Sequence, residues 1–395
     1  MKIGIFTNNY LPNPYGVSTS IETFRRDFER LGHQVFIFAP RWPGYIDENP
    51  NVFRYPSIDI EFKFRFPLPI PYSWKMRRIL KNLNLDIIHS QHPNLLGSAA
   101  IRWAKKKKIP LVFTWHTLYD KYVNFVPFVP PKIAAGFIIR RAVKFANQAD
   151  AVIVPTDSII PILQRWGVKN KNIVPIATGV IEENFKNADK NLVRNKYGIK
   201  DDETLLLLVS RLTAEKNILF VINAVKNILK NNKESSPEGR GGYGIKLLIV
   251  GGGYLSQEII KLAEKEGIAE KIILTGEIEN KNIANYFAAG NIFVYGSKSE
   301  TQGMVMTEAM FSGLPVVAVN ATGTSSLIKN NINGFLVSEN KKEFAEAVEK
   351  LIADKNLRQK FGEASKKIAR ENFTSCICAK KMLEVYNKAI LEKSE

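Results

Sequence analysis

Short unbroken apolar runs punctuate this chain and predict buried parallel strands. In the first half they are Lys2–Phe6, Gln34–Ala39, Ile87–Ser90, Leu111–Thr114 and Ala151–Val154. In the second half they are Leu205–Val209, Lys246–Val250, Ile272–Thr275, Ile292–Tyr295 and Pro315–Ala318. Between several of them the apolar spacing changes to that of a helix. Ser18–Leu31 runs to a Gly32-His33 stop, and Trp74–Leu83 ends just before Ile87. Strand and helix alternate throughout, which predicts α/β architecture in two doubly wound, Rossmann-like domains. Polar residues crowd at Lys186-Asn187-Ala188-Asp189-Lys190-Asn191 and place the divide there. The expected layout is a domain over 1–190, a second over 191–373, and a closing helix over 374–395 that returns to the first. Asn231–Gly244, rich in Asn, Ser, Gly and charge, reads as a loop inside the second domain.

Composition adjusts this picture in three ways. A chain of 395 residues with 45% hydrophobic and 24% charged residues suits two globular cores. The start Met1-Lys2-Ile3-Gly4-Ile5 reads as a strand and not as a secretion signal, and no apolar stretch is long enough to span a bilayer. Cys376 and Cys378 are too close in sequence to face each other on a helix or a strand, so a disulfide or a metal pair is not expected and a reducing cytoplasm fits. The net charge of +18 is uneven. Residues 1–190 hold 27 basic against 14 acidic residues, and residues 191–395 hold 29 against 24. The excess peaks over 101–150, with 10 basic and 2 acidic residues, and points to an anionic partner or a solvated face.

Doubly wound folds bind ligands at loops leaving the carboxyl ends of their strands, so chemistry is sought there. After Ile292–Tyr295 comes Ser299-Glu300-Thr301-Gln302-Gly303-Met304-Val305-Met306-Thr307-Glu308. Glu300 falls in a loop, Glu308 falls inside the following helix, and Gly303 allows backbone to approach a ligand. Helix N–H groups there suit a phosphate, and the carboxylates suit hydroxyls. After Leu205–Val209, Arg211 and Lys216 lie within reach of one diphosphate, Arg as a fork and Lys as a point charge, although such a pair also occurs as plain surface. Gly251-Gly252-Gly253 either admits a ligand or makes a bare turn. Gly16, just before the helix opening at Ser18, either presents N–H groups to phosphate or merely starts a helix. His116, followed by Tyr119 and Asp120, suits hydroxyl recognition. His33, His89 and His92 lack ligand-spaced partners, which argues against a metal site.

In combination these segments resemble the retaining nucleotide-sugar glycosyltransferases of GT-B fold, most closely the diacylglycerol glucosyltransferases. The resemblance rests on Gly16-Val17, Gly32-His33, Thr114 through Tyr122, Val154-Pro155-Thr156, Thr178-Gly179-Val180, Arg211 through Lys216, and the E-x7-E pair Glu300 and Glu308. It implies two domains facing across a cleft and hexose transfer, glucose from UDP-glucose above all, to a lipid such as diacylglycerol. Other hexoses, GDP-mannose, and soluble or polysaccharide acceptors remain as alternatives. It implies that Arg211 and Lys216 bind the diphosphate, that Glu300 holds sugar hydroxyls and that Glu308 holds the ribose. It further implies that Gly16, Val17, Gly252, Gly303, Met304 and Val305 border the phosphates and sugar, that Ile278 meets the base, and that His116 touches the donor sugar. The nucleotide sugar is then a substrate, and no metal or other cofactor is required. Four departures concern phosphate contact: Ser210 and Asn217 stand where relatives carry Gly, Ile181 stands where they often have Asp, and the first loop has one Gly in place of two. Asn tolerates positive φ, so the Asn217 turn is expected to survive.

The acceptor side is marked by charge. Arg102-Trp103-Ala104-Lys105-Lys106-Lys107-Lys108, Arg140-Arg141, and the alternating Phe62-Lys63-Phe64-Arg65-Phe66 place basic groups beside apolar ones. With Tyr119 and Tyr122 they suit an anionic membrane surface, on the cytoplasmic side. Ordinary strand faces and solvated lysines explain the same residues. A pI near 9.6 raises nucleic acid as a partner, but no nucleic-acid motif is present and none is expected to bind.

Overall fold

The computed structural model describes residues 1–13, 16–61, 65–119, 131–230 and 244–394. The chain divides into two compact units, Met1–Gly179 with Ser375–Glu395, and Val180–Thr374.

In chain order the first unit holds β1 (Lys2–Phe6), β2 (Gln34–Pro40), β3 (Val52–Tyr55), β4 (Ser57–Glu61), β5 (Arg65–Pro69), β6 (Ile87–Ser90), β7 (Leu111–Thr114), β8 (Ala151–Val154) and β9 (Ile173–Pro175). Seven of these form a parallel sheet in the order β3-β2-β1-β6-β7-β8-β9, and β4 and β5 pair separately and antiparallel. The central strands are buried on both faces, which is why their apolar runs are unbroken. The Arg65–Pro69 strand takes part of the alternating aromatic–basic stretch, and Phe62, Lys63 and Phe64 lie outside the described residues.

The helix Ser375–Ser394 belongs to this unit and packs on the helix Gly16–Arg30, with Tyr386 against Phe28 at 5.6 Å between ring centroids. Tyr386 is fully buried, and its hydroxyl is hydrogen-bonded to His89 Nδ1 at 2.5 Å. His89 Nε2 meets Thr114 Oγ1 at 2.7 Å. Burial drives the His89 imidazole down to about 3, so it is neutral, and its two ring nitrogens tie the helix to the ends of β6 and β7. Cys378 is buried and Cys376 exposed, and they form no disulfide.

The second unit holds β10 (Thr204–Val209), β11 (Ile245–Val250), β12 (Ile272–Leu274), β13 (Ile292–Tyr295), β14 (Val316–Val319) and β15 (Gly334–Val337) in the order β12-β11-β10-β13-β14-β15, all parallel. Along β10 the leucines alternate between two cores. Leu206 and Leu208 pack with Val221, Val225 and Phe344, and Leu205 and Leu207 pack with Phe287, Phe293 and Met310. Both sheets are therefore covered on both faces, and the fold is two Rossmann-like α/β domains.

The divide falls earlier than the polar crowding at 186–191 suggests. Val180 donates its N–H to Phe373 O at 2.7 Å, and Phe185 packs on Phe287 and Phe311, so residues 180–190 join the second unit. The polar cluster is a helix start: Asp189 accepts the N–H of Asn191 at 2.8 Å and caps Lys190–Lys196.

Candidate active site

Each sheet reverses its strand order once, between β1 and β6 in the first unit and between β10 and β13 in the second. Loops leaving the two strands at such a reversal diverge and open a crevice. Gly16 in the first unit and Arg211, Lys216 and Glu300 in the second follow strands at these reversals, whereas His116, Gly252 and Ile278 follow neighbouring strands.

In the second unit the β10 loop carries Arg211 and Lys216, and the β13 loop carries Glu300. Lys216 ends a short 3-10 turn, and its ammonium is hydrogen-bonded and ion-paired to Glu300 Oε1 across the reversal. Both side chains are largely buried, at 12% and 14% exposure. Tyr295 donates its hydroxyl to the same oxygen at 2.6 Å. Burial alone raises the Glu300 carboxyl, but Lys216 and the hydroxyls of Tyr295 and Ser297 outweigh it and hold the group below its ordinary value, as an anion. Arg211 is half exposed and paired with Glu215 at 3.4 Å. The turn after Lys216 needs a left-handed residue, and Asn217 supplies it at φ 55°, donating its side-chain amide to Gly296 O at 3.3 Å and Glu339 Oε1 at 2.9 Å.

Gly303 begins the helix Met304–Phe311 at φ 76°, where a Cβ would come within 2.3 Å of Met306 Cε. Met304 and Val305 form the first turn and are partly exposed. Glu308 lies in the next turn and is partly exposed, without a side-chain hydrogen bond among the described residues. Burial pushes its carboxyl up to about 7. The E-x7-E pair therefore holds two unlike carboxyls, one paired and ionised, the other unpaired and close to neutral pH.

The glycine triplet serves the Arg211 loop. Leu212 donates its N–H to Gly252 O at 2.8 Å, and a Cβ on Gly251 would sit 1.9 Å from Ser210 O. A side chain on Gly252 would meet Glu277 Cγ at 2.7 Å, and Ile278 follows in the same loop, half-buried against the core. Here the triplet lets two strand-end loops lie in contact.

In the first unit, His116 follows β7, and its Nε2 meets Gln91 Oε1, after β6, at 2.7 Å. His92 Nδ1 accepts the N–H of Asn8, after β1, at 3.1 Å, and Asn8 Oδ1 takes the N–H of Leu96 at 3.0 Å. Burial lowers His116 to about 3 and His92 to about 4, so both are neutral imidazoles suited to hydrogen bonding rather than to charge. Gly16 opens the helix Gly16–Arg30, with Val17 behind it, and a Cβ on Gly16 meets nothing within 4 Å. The protein itself therefore makes no steric demand for glycine there. Tyr119 packs edge-on against Trp115 at 5.7 Å, part of the core edge, and Tyr122 lies outside the described residues.

The basic groups separate. Lys105–Lys108 end the helix Leu96–Lys107, which feeds the start of β7, at the opposite end of the sheet from His116. Lys105 reaches Gln148, Lys106 lies over the Trp103 ring, and Lys107 donates to Lys81 O. Arg141 instead donates to Asn94 Oδ1 at 3.1 Å, beside the strand ends, next to exposed Arg140. A further surface gathers Arg102, marked from sequence, with aromatic and basic residues of the helix Trp74–Asn82 that were not. Tyr72 and Trp74, 69% and 83% exposed, carry Arg102 and Arg77 over their rings at 4.2 and 5.3 Å, beside exposed Lys75, Arg78 and Lys81. Among the described residues no group of three His, Cys, Asp or Glu side chains forms a metal site.

Known proteins bear on this geometry. Residues 189–368 match the family model for glycosyl transferases group 1, and residues 14–184 match that for glycosyltransferase family 4. The chain is 32% identical to the alpha-monoglucosyldiacylglycerol synthase of Streptococcus pneumoniae, covering 100% of this chain and 87% of that protein. It is 27% identical to the enzyme of the same name from Acholeplasma laidlawii, over 86% of this chain and 85% of that one. A GDP-mannose-dependent alpha-mannosyltransferase of Mycobacterium tuberculosis is 26% identical over 93% of this chain and 91% of its own length. Among solved structures, sucrose-phosphate synthase from Thermosynechococcus elongatus superposes with a TM-score of 0.80 at 19% identity, covering 99% of each chain.

Proposed function

From the premise that this chain belongs to the group 1 glycosyltransferases of GT-B fold, we propose that it transfers glucose from UDP-glucose to diacylglycerol with retention of configuration. The observation that carries this reading is the Lys216–Glu300 pair at the β10/β13 reversal, with Arg211 on the same loop and Glu308 in the helix beyond. A diphosphate needs cations and a sugar needs acceptors for its hydroxyls, and this loop pair offers both within one bonded cluster. The glucosyl and lipid parts of the proposal draw on the two relatives named as alpha-monoglucosyldiacylglycerol synthases.

In this mechanism the bond from the anomeric carbon to the diphosphate breaks and a bond to the acceptor oxygen forms on the same face. The acceptor proton passes to the departing diphosphate. Arg211 and Lys216 stabilise the negative charge that develops on the leaving group, in a site where preorganised charge acts strongly. Glu300 and Glu308 orient hydroxyls and are not the acid and base of a glycosidase. The aromatic and basic surface around Tyr72, Trp74 and Arg77 suits the interface of an anionic bilayer, with rings at headgroup level and cations toward lipid phosphates. The proposed association is peripheral; no helix among the described residues is long and apolar enough to cross a membrane.

A donor panel tests the proposal. UDP-glucose, UDP-galactose and GDP-mannose are offered with diacylglycerol in anionic vesicles or with soluble sugars, and products are identified by mass and anomer. The expected product is α-glucosyldiacylglycerol, formed faster as the anionic lipid fraction rises. Transfer confined to a soluble acceptor, or to mannose, overturns it.

Glu308 adds a pH signature. With its carboxyl raised to about 7, it is mostly protonated at pH 6 and mostly ionised at pH 8. Only the anion accepts hydrogen bonds from two ribose hydroxyls, so the donor KM is expected to fall as pH rises across that window. The effect on folding has the opposite sign: the raised carboxyl favours the native state at pH below 4.5, and this contribution is lost as pH rises toward 7. In Glu308→Gln the KM is expected to be higher, by roughly tenfold for one lost charged hydrogen bond, and flat across the window. A pH-dependent KM that survives in Glu308→Gln assigns the titration to another group.

A further inference from the structure

We propose that Tyr295 is a positioning residue for sugar recognition, holding Glu300 in place while Lys216 turns to the donor diphosphate; the inference rests on the donor site proposed above.

Tyr295 ends β13, and its side chain is 1% exposed. Its ring stacks on Phe293, two residues earlier on the same face of the strand, with centroids 5.8 Å apart and planes at 23°. A phenol gripped in this way has one place to put its hydroxyl. That hydroxyl donates to Glu300 Oε1 at 2.6 Å, a short bond of the charge-assisted kind. Lys216 donates to the same oxygen.

Lys216 and Tyr295 differ in what they do when a diphosphate arrives, while the Ser297 hydroxyl adds a further, neutral contact to the carboxylate. Lysine is a compact charge on a flexible stem with three donors, and a doubly charged diphosphate competes for it directly. Glu300 then loses part or all of its cation while remaining largely buried. A buried carboxylate left without partners either takes up a proton or swings away, and in both cases it stops accepting hydrogen bonds from the sugar in a fixed geometry. Tyr295 cannot follow the phosphate, because its ring is locked in the core. It is therefore the short-bonded donor that, with Ser297 beside it, keeps Glu300 ionised and aimed as the donor site fills. In the empty site the Lys216–Glu300 pair neutralises itself, and Tyr295 is what allows the pair to be opened without losing the carboxylate.

The test separates sugar from nucleotide. Tyr295→Phe keeps the ring and its packing, and its fold is checked by thermal melting. Binding of UDP, which lacks the sugar, is compared with kcat/KM for UDP-glucose. The expected result is UDP affinity within about twofold of the parent and a tenfold or greater loss in kcat/KM. The same substitution is then made in a Glu300→Gln background, where it is expected to change kcat/KM by less than about twofold, because a residue acting only through Glu300 has nothing further to position. Unchanged kcat/KM in Tyr295→Phe overturns the proposal. So does an equal loss of UDP and UDP-glucose binding, which marks a general structural role, and so does a full additive loss in the double variant. If the parent protein binds neither UDP nor UDP-glucose, the donor-site reading itself fails, and that outcome is seen before any variant is made.

Discussion

Lys216→Ala is expected to lower kcat/KM for glucosyl transfer by about 10²–10³-fold, the loss typical of removing one preorganised donor to developing negative charge. Two effects act together. The departing diphosphate loses a cation, and Glu300, 14% exposed in the parent, loses its ion-pair partner. The second effect leaves a mark in the empty protein, because a carboxylate stripped of its cation is desolvated with less compensation. Tyr295 retains its hydrogen bond and limits that damage. Arg211→Ala is expected to reduce transfer to a similar degree but to leave the melting midpoint nearly unchanged, because Arg211 is half exposed and its ion pair with Glu215 is a surface one. Initial rates over a donor concentration series, with melting curves for both variants, supply the measurement. Transfer within tenfold of the parent in both variants removes these residues from the chemistry.

Gly251→Ala is expected to be the most damaging single methyl in the second unit. Gly251 has φ 133°, a region that L side chains rarely enter, and the added carbon would sit 1.9 Å from Ser210 O. Backbone strain and a backbone clash combine, and roughly 3 kcal/mol or more of stability should be lost, lowering the melting midpoint by several degrees. The relief available is to push the Ser210–Leu212 segment outward, which carries Arg211 away, so residual activity should fall beyond what stability explains. Gly276→Ala separates the two causes. It shares a positive φ of 71°, but a Cβ there meets nothing within 4 Å, so only strain of about 1 kcal/mol is expected. Equal melting shifts in the two variants would show that the contact with Ser210 is unimportant.

Legibility in the sequence followed burial. β6, β7, β8, β10 and β13 are wholly buried and β1 is buried but for Lys2 at its start, so their runs are unbroken and their limits were read to within about a residue. β3, β9 and β15 were not seen. Each is an edge strand of three or four residues, only partly buried, and β9 ends in proline. β4 and β5 pair with each other, and two prolines in Arg65–Pro69 disguise the second of them. The site divided along the same line. Arg211, Lys216, Glu300 and Glu308 were visible because spacing and family likeness marked them. Their couplings were not, because Lys216 and Glu300 are 84 residues apart and Gln91 and His116 are 25 apart. Tyr295 was visible only as a strand aromatic, since nothing in the sequence says that its hydroxyl reaches Glu300 in the next loop.

The helix Ser375–Ser394 has a consequence for how the protein is made. It supplies Tyr386, the buried partner of His89, yet the ribosome delivers it only after the second unit. The whole of Val180–Thr374 is synthesised in between, which takes roughly 10–40 s at 5–20 residues per second. The second unit is a continuous stretch and has every strand of its sheet before that helix emerges. The first unit begins earlier and is completed later, with the polar edge of His89 and the apolar face of Gly16–Arg30 waiting for their cover. For this chain the order of translation and the order of completion are reversed.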